Sequence, residues 1–441
     1  MISNVVLACA LAGALAAPAV PVDDSHLSAL VTEALSANPD LKAAEQLARA
    51  AGQRPAQVSA RPDPWLGLGY TNEGWSPSLG RLTDTNLAVV AGQTLPWPGK
   101  LRLRGEIAAR EADEVSQQVA RARLSVAGSV RRAYYGLLEA RAIAALTHEQ
   151  ADVWRQIEGV ARARYAVGQG NQQDVLRTQV ELTRVGQVLA EQAAEAAVRV
   201  AEINRLLARS IATPLETSAI LAPAEPAAGL EAELARLVAL SPERAAAAIA
   251  LERARLAVLL AKKEGRPDFG VQAGYMNRGG LDPMWQGGVS VTLPLNRTRR
   301  ASAVAEAEAL VAAAQARLSA VELQLGLRTE ERLAQLAAAR EMAALYREGI
   351  VPQDRMSVEA AVASYETGRV PFVTVLEALT TLYGDRVTLV RLVAGQSRLR
   401  ASLDEATLEP TSDLPSLTGA TGMSTGPAGT ASSAVMGSMS R

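Results

Sequence analysis

Apolar residues recur along the chain with two different periods. Val289, Val291 and Leu293 alternate with Ser290 and Thr292, the period of two that gives a β-strand one apolar face. Two much longer stretches, Leu101 to Val167 and Arg300 to Thr367, carry helical patterning and are rich in alanine, which lets neighbouring backbones approach closely. At 1.5 Å of rise per residue, each helix would reach roughly 100 Å. Within the first, Val115, Val119, Val126, Val130 and Leu137 follow spacings of four and seven. That 11-residue recurrence lies close to the natural helical period, so such helices can pack side by side as nearly straight staves.

The pattern occurs twice, offset by about 200 residues. Asn38-Pro39-Asp40 and Ser241-Pro242-Glu243 each pair an N-cap residue with proline at the first helical position. Arg61-Pro62-Asp63 and Arg266-Pro267-Asp268 each lead into a short strand ending Gly-Tyr, at Gly69-Tyr70 and Gly274-Tyr275. A second strand closes each half, ending at Thr94-Leu95-Pro96 and Thr292-Leu293-Pro294. Both long helices then end alike, Tyr165-Ala166-Val167-Gly168 and Tyr365-Glu366-Thr367-Gly368, with glycine supplying the left-handed backbone of a sharp reversal. Helix resumes to about Leu207 and Leu408. The fold class is therefore mainly α with a small β part, in two repeats of helix, β-hairpin and long helical hairpin.

These signals divide the chain into a first repeat over 21–210 (strands about 64–95, helical hairpin about 100–210, tip 165–174) and a second over 230–409 (strands about 268–294, helical hairpin about 299–408, tip 365–377). Between them 211–229, with Pro214, Pro223 and Pro226, reads as a linker. The Gly/Ser/Thr/Ala-rich stretch 410–441 reads as a disordered tail. Val5 to Ala17 is an apolar run followed by small-residue cleavage options, so 1–20 reads as a secretory signal peptide, although Met1 to Asn4 carries no Lys or Arg. Val6-Leu7-Ala8-Cys9 also loosely fits a lipoprotein cleavage box, which leaves lipidation of Cys9 as the alternative.

Composition narrows the function. A formal charge of -1 argues against nucleic acid as a partner, and aromatics at 3% suit long helices better than several compact cores. One cysteine and two histidines, His26 and His148, are too few for a disulfide framework or a Cys/His zinc site, and no cofactor or metal is expected. Catalysis is not expected either: there is no nucleophile motif or phosphate loop, and Gly67, Gly69 and Gly74 do not make a dinucleotide fingerprint. Beyond the leader no apolar run is long enough for a spanning helix, so any bilayer crossing falls to the strands. Four strands cannot close a transmembrane barrel, so several chains must share one. Trp65, Trp75, Trp97, Trp285, Tyr70 and Tyr275 cluster in or beside the strands, as membrane-interface anchors or as ordinary hairpin-core aromatics.

The paired tip motifs and the matched hairpins resemble the TolC-like outer-membrane efflux factors over about 26–409. That resemblance implies a homotrimer with a 12-stranded β-barrel in the outer membrane, continued by an α-helical tunnel into the periplasm of a Gram-negative cell. It implies a passive conduit working with a periplasmic adaptor protein and an inner-membrane RND-type pump. Gln93-Thr94-Leu95-Pro96-Trp97-Pro98-Gly99-Lys100 looks most like the heavy-metal branch, the CzcC and CusC-like members, which implies export of metal cations. Export of drugs or other small molecules is the alternative. A periplasmic adaptor or scaffold is the rival of a different class, although it should carry one hairpin and a compact β-domain.

The resemblance also assigns roles at matching positions. Gly168 and Gly368 would sit at the adaptor contact, and Asp174 and Glu377 near the periplasmic pore constriction, where three copies of each would repel one another and favour cations. Thr374 stands where relatives often carry an acidic residue, so the ring is weaker or differently placed. A solvated helix face is the plainer reading of Asp174 and Glu377. For Tyr165 and Tyr365, a gating hydrogen bond competes with packing at the hairpin end.

Overall fold

The computed structural model describes residues 25–73, 75–78, 84–217, 220–224, 226–406 and 408. The expected signal peptide with Cys9, and the expected tail 410–441, lie outside the described residues. The first repeat runs α1 (Ser25–Ala37), α2 (Pro39–Ala51), α3 (Arg54–Ser59), β1 (Trp65–Thr71), β2 (Asn86–Leu95), α4 (Lys100–Ala166) and α5 (Gln172–Leu206). The second runs α6 (Leu230–Leu240), α7 (Pro242–Lys263), β3 (Asp268–Arg278), β4 (Leu281–Thr292), α8 (Arg297–Leu345), a π turn (Tyr346–Ile350), α9 (Val351–Glu366) and α10 (Phe372–Glu405). Both expected N-caps form. The Asn38 side chain accepts from the Leu41 N–H at 3.1 Å, and the Ser241 hydroxyl accepts from the Arg244 N–H at 3.3 Å.

One departure from the sequence reading is the break between α8 and α9. Proline at 352 has no N–H to give the Glu348 carbonyl, and its ring would crowd that carbonyl in a regular helix. The chain widens into the π turn instead, so the second long helix is two segments where the first is a single helix of 67 residues.

The four strands form one antiparallel sheet in the order β1-β2-β3-β4. Its central pairing, from Leu87↔Asn277 to Leu95↔Phe269, joins the two repeats. The register sorts the side chains onto two faces. Leu66, Ala91, Ala273 and Gly287 share a row, as do Leu68, Val89, Tyr275 and Trp285, and these rows belong to one apolar face. That face lies bare: Leu66 is 70%, Leu68 76% and Val289 76% exposed. The opposite face is mostly small and polar, with Gly67, Gly69, Gly92, Gly274, Gln272, Gln286 and Ser290, though Trp65, Val90, Met276 and Met284 also stand on it.

The strand aromatics divide between the two faces. Tyr275 and Trp285 stand together on the apolar face, ring centroids 5.0 Å apart. Trp65 stands on the other face, where it covers Gly92; a Cβ at that glycine would come within 2.8 Å of the indole. Trp97 lies beyond the strand and stacks on Phe269 at 5.8 Å, an ordinary packing aromatic.

Helices flank one another along the body. α4 packs on α5, α7 and α10, and α8 packs on α7 and α10. Of the 11-residue stripe of α4, Val126, Val130 and Leu137 bury against Leu27 and Leu30 of α1 and Ile203 of α5, whereas Val115 and Val119 stay part-exposed. Midway along, ion pairs pin the two repeats to each other. Arg132 binds Glu405 and Arg398 binds Glu139 across the repeats, while within the second repeat the buried Glu233 of α6 holds Arg236 at 2.7 Å and Arg400 of α10 at 3.1 Å.

Candidate functional site

At the far end of the helices the two reversals are built alike. Gly168 (φ +72°) and Gly368 (φ +74°) take the left-handed conformation that terminates α4 and α9. The Gln169 N–H reaches the Arg164 carbonyl at 2.8 Å and the Gly168 N–H the Tyr165 carbonyl at 3.0 Å; Arg369 to Ser364 and Gly368 to Tyr365 repeat the pattern at 2.8 and 2.9 Å. A side chain at either glycine would be strained by the backbone alone.

The surroundings of the two tips differ. Tyr365 is buried, its ring edge-on to Phe372 at 5.6 Å, in a cluster with Trp154, Ile157, Val375 and Leu379 that locks the ends of the two helical hairpins together. Its hydroxyl donates to Asp174 Oδ2 of α5 at 3.2 Å. Burial, then the neighbouring Asp174 charge, push that hydroxyl up to about 12, so it remains a neutral donor. Tyr165, its counterpart in the first repeat, is exposed together with Val167. Asp174 is thus tied to the other hairpin, whereas Glu377 lies exposed on α10.

Arg164, which the sequence reading did not single out, completes the tie. Its guanidinium sits 4.6 Å over the Tyr365 ring, donates to the Tyr365 carbonyl, and donates to the Gln169 carbonyl at 3.1 Å. One arginine therefore holds the last turn of α9 and closes the reversal of its own hairpin. Nothing local marks it in the sequence, because many arginines punctuate α4.

At the opposite end, Gln93 to Lys100 forms the passage from sheet to helix. Gly99 (φ +90°) caps α4, and a Cβ there would fall 2.2 Å from Lys263 Nζ. Lys100 is buried; its ammonium donates to Asp268 at 2.9 Å and to the Arg266 carbonyl at 3.0 Å, and the Trp97 N–H donates to the same Asp268 oxygen at 2.7 Å. The motif thus fixes the angle at which the helical body leaves the sheet.

No described helix is long and apolar enough to cross a membrane. The sheet, by contrast, bares a whole apolar face, and in one copy both its edges, β1 and β4, are open. An apolar band backed by a small, polar face is the cross-section of a transmembrane barrel wall, and long helices continuing it make a conduit. The class so defined is a β-barrel membrane channel continued by a helical conduit.

The outer membrane efflux protein family model matches residues 30–209 and 234–407, one span in each repeat. The chain belongs to that family, whose members are non-enzymatic channels, with the sheet in the outer membrane and the helices extending into the periplasm. No curated protein matches it in sequence. Among solved structures it is similar to the channel-forming CusC (18% identity, TM-score 0.72, covering 87% of this chain and 92% of that one). It is also similar to VceC of Vibrio cholerae (22%, 0.69, 86% and 94%) and to the CmeC outer membrane channel of Campylobacter jejuni (16%, 0.70, 87% and 86%).

The two faces of β4 give a direct check. Val289→Arg, on the apolar face, is expected to destabilise the folded protein in lipid by about 2 kcal/mol. Gln286→Arg, on the polar face, is expected to cost far less. Urea unfolding in vesicles compares them, and equal losses would refute the assignment of faces.

Proposed function

We propose that three copies close a 12-stranded barrel and pass heavy-metal cations from periplasm to exterior, as the outer-membrane component of a tripartite pump with a periplasmic adaptor and an inner-membrane RND-type pump. The observation that carries the conduit reading is the open-edged sheet with one bare apolar face, joined to helices roughly 100 Å long whose far ends are tied to each other.

The tied end serves as the periplasmic gate. Tyr365 and Asp174 close it through their hydrogen bond, Glu377 faces the aqueous side, and three copies of each carboxylate near one axis would favour cations. Tyr165, exposed beside Val167 and Gly168, together with Gly368 of the second reversal, forms the surface offered to the adaptor.

The metal cargo rests on the likeness of Gln93–Lys100 to the heavy-metal branch. Those residues build the sheet-to-helix corner, so they mark kinship and do not touch cargo. Among the described residues no group of three or more His, Cys, Asp and Glu is placed to hold a metal ion. Export of organic compounds is the second reading, since the family match reaches the channel and not its cargo. Deleting the gene decides between them: the expected result is lowered tolerance to zinc, cobalt, cadmium, copper or silver with drug tolerance unchanged. Sensitivity to organic drugs alone would overturn the metal cargo.

A further inference from the structure

We propose that Asp354 of α9 and Asp385 of α10 share one proton in a carboxyl–carboxylate latch across the second helical hairpin, and that losing this proton frees α9 at the π turn. The two side chains meet between the hairpin's arms, both half-buried. Asp354 Oδ2 is shielded from solvent and, with both groups ionised, has no donor. A proton on Asp385 supplies that donor, and two bare carboxylates there would repel at short range in a partly dry setting.

The two cationic side chains that flank the pair each have an acidic partner of their own. Arg386, next to Asp385, is turned to Glu149 of α4 at 2.8 Å, and Arg355, next to Asp354, to Glu359 at 3.4 Å. Asp152 of α4 is engaged by Arg155, and Arg347 and Glu348 of the π turn are exposed. Tyr346, at the start of the π turn, faces both carboxyls; burial and their charges hold its hydroxyl above the ordinary value. Burial, then the hydrogen bond with Asp354 and its charge, push Asp385 up to about 6.

The pair also sits where the backbone is weakest. Only three residues separate the end of the π turn from Asp354, and Pro352 is one of them, so the helix there already lacks a regular hydrogen bond. The first hairpin, with its uninterrupted α4, has no equivalent. α9 ends at the tied Tyr365, so release at the π turn would loosen that same tip; this consequence rests on the gate proposed above, while the latch itself does not.

The sign follows from the raised carboxyl. The closed hairpin favours the protonated pair, an advantage fully present below the ordinary aspartate value near 4 and lost as pH rises through about 6. Hydrogen exchange of the full-length protein in detergent, read on amides 346–356 and corrected for intrinsic rates, tests it without reference to conduction. Opening is expected to be roughly tenfold or more greater at pH 7.5 than at pH 4.5. Amides 110–120 of α4 serve as the control and should show no such change. Asp385→Asn should abolish the pH dependence, and Asp354→Asn should shift its midpoint below about pH 5. A wild-type ratio within twofold, or an Asp385→Asn protein with the wild-type profile, would overturn the latch.

Discussion

Replacing Lys100 with methionine is expected to destabilise the folded protein by about 3 kcal/mol, because it strands a carboxylate at a packed corner. The Lys100 side chain is 2% exposed and that of Asp268 29%, so the ammonium offers Asp268 what water cannot fully restore. The Arg266 carbonyl loses its donor as well. Methionine fills the same space, so the loss is one of charge and hydrogen bonds and not of packing. Adding Asp268→Asn tests the cause. The amide oxygen can still accept from the Trp97 N–H, while the unpaired charge is gone, so the double variant is expected to recover part of the loss. Urea titration in detergent micelles measures both. If Lys100→Met unfolds with the wild type, the corner is not held by this pair.

The second large effect is expected at the hairpin tips. Arg164→Ala removes hydrogen bonds to the Tyr365 and Gln169 carbonyls and the cation over the Tyr365 ring, contacts that each contribute about 1 to 2 kcal/mol. Single-channel recording in planar bilayers is expected to show open probability rising by about tenfold to a hundredfold, since about 1.4 kcal/mol corresponds to a factor of ten. Tyr365→Phe removes only the hydroxyl bond to Asp174 and should raise it by about tenfold. Asp174→Ala removes the same bond from the other side, so the double variant should open no further than either single one. The hydroxyl bond should not respond to pH in the physiological range. Burial and Asp174 push Tyr365 up to about 12, so the neutral donor is favoured below the ordinary tyrosine value and lost only as pH climbs from about 10 towards 12. Variants that stay as closed as the wild type would remove these residues from the gate.

What could be read before folding was whatever the chain encodes over a few neighbouring residues. Asn38-Pro39 and Ser241-Pro242 start helices because a side-chain oxygen three residues away satisfies an exposed N–H. Gly168 and Gly368 end them because only glycine takes that backbone without strain. Pro352 is an equally local signal, but the sequence reading carried one helix through it from Arg300 to Thr367, and its missing N–H breaks that helix between α8 and α9. Because these signals recur in the same order at an offset of about 200 residues, the two repeats, their hairpins and the need for more strands than one chain owns followed from the sequence alone.

The rest needed three dimensions. Which face Trp65 occupies depends on strand register, where a shift of one residue inverts every side chain. The β2–β3 pairing that merges two hairpins into one sheet joins residues in different repeats. Asp174 finds Tyr365 across 191 residues and Arg164 finds it across 201, distances at which no periodicity or spacing carries information. Sequence therefore determined the parts and their repetition, since propensity and capping act within a turn or two of helix. The tertiary structure alone decided that a buried tyrosine, an aspartate and an arginine meet at the tip, because burial and charge pairing arise only when separate helices pack.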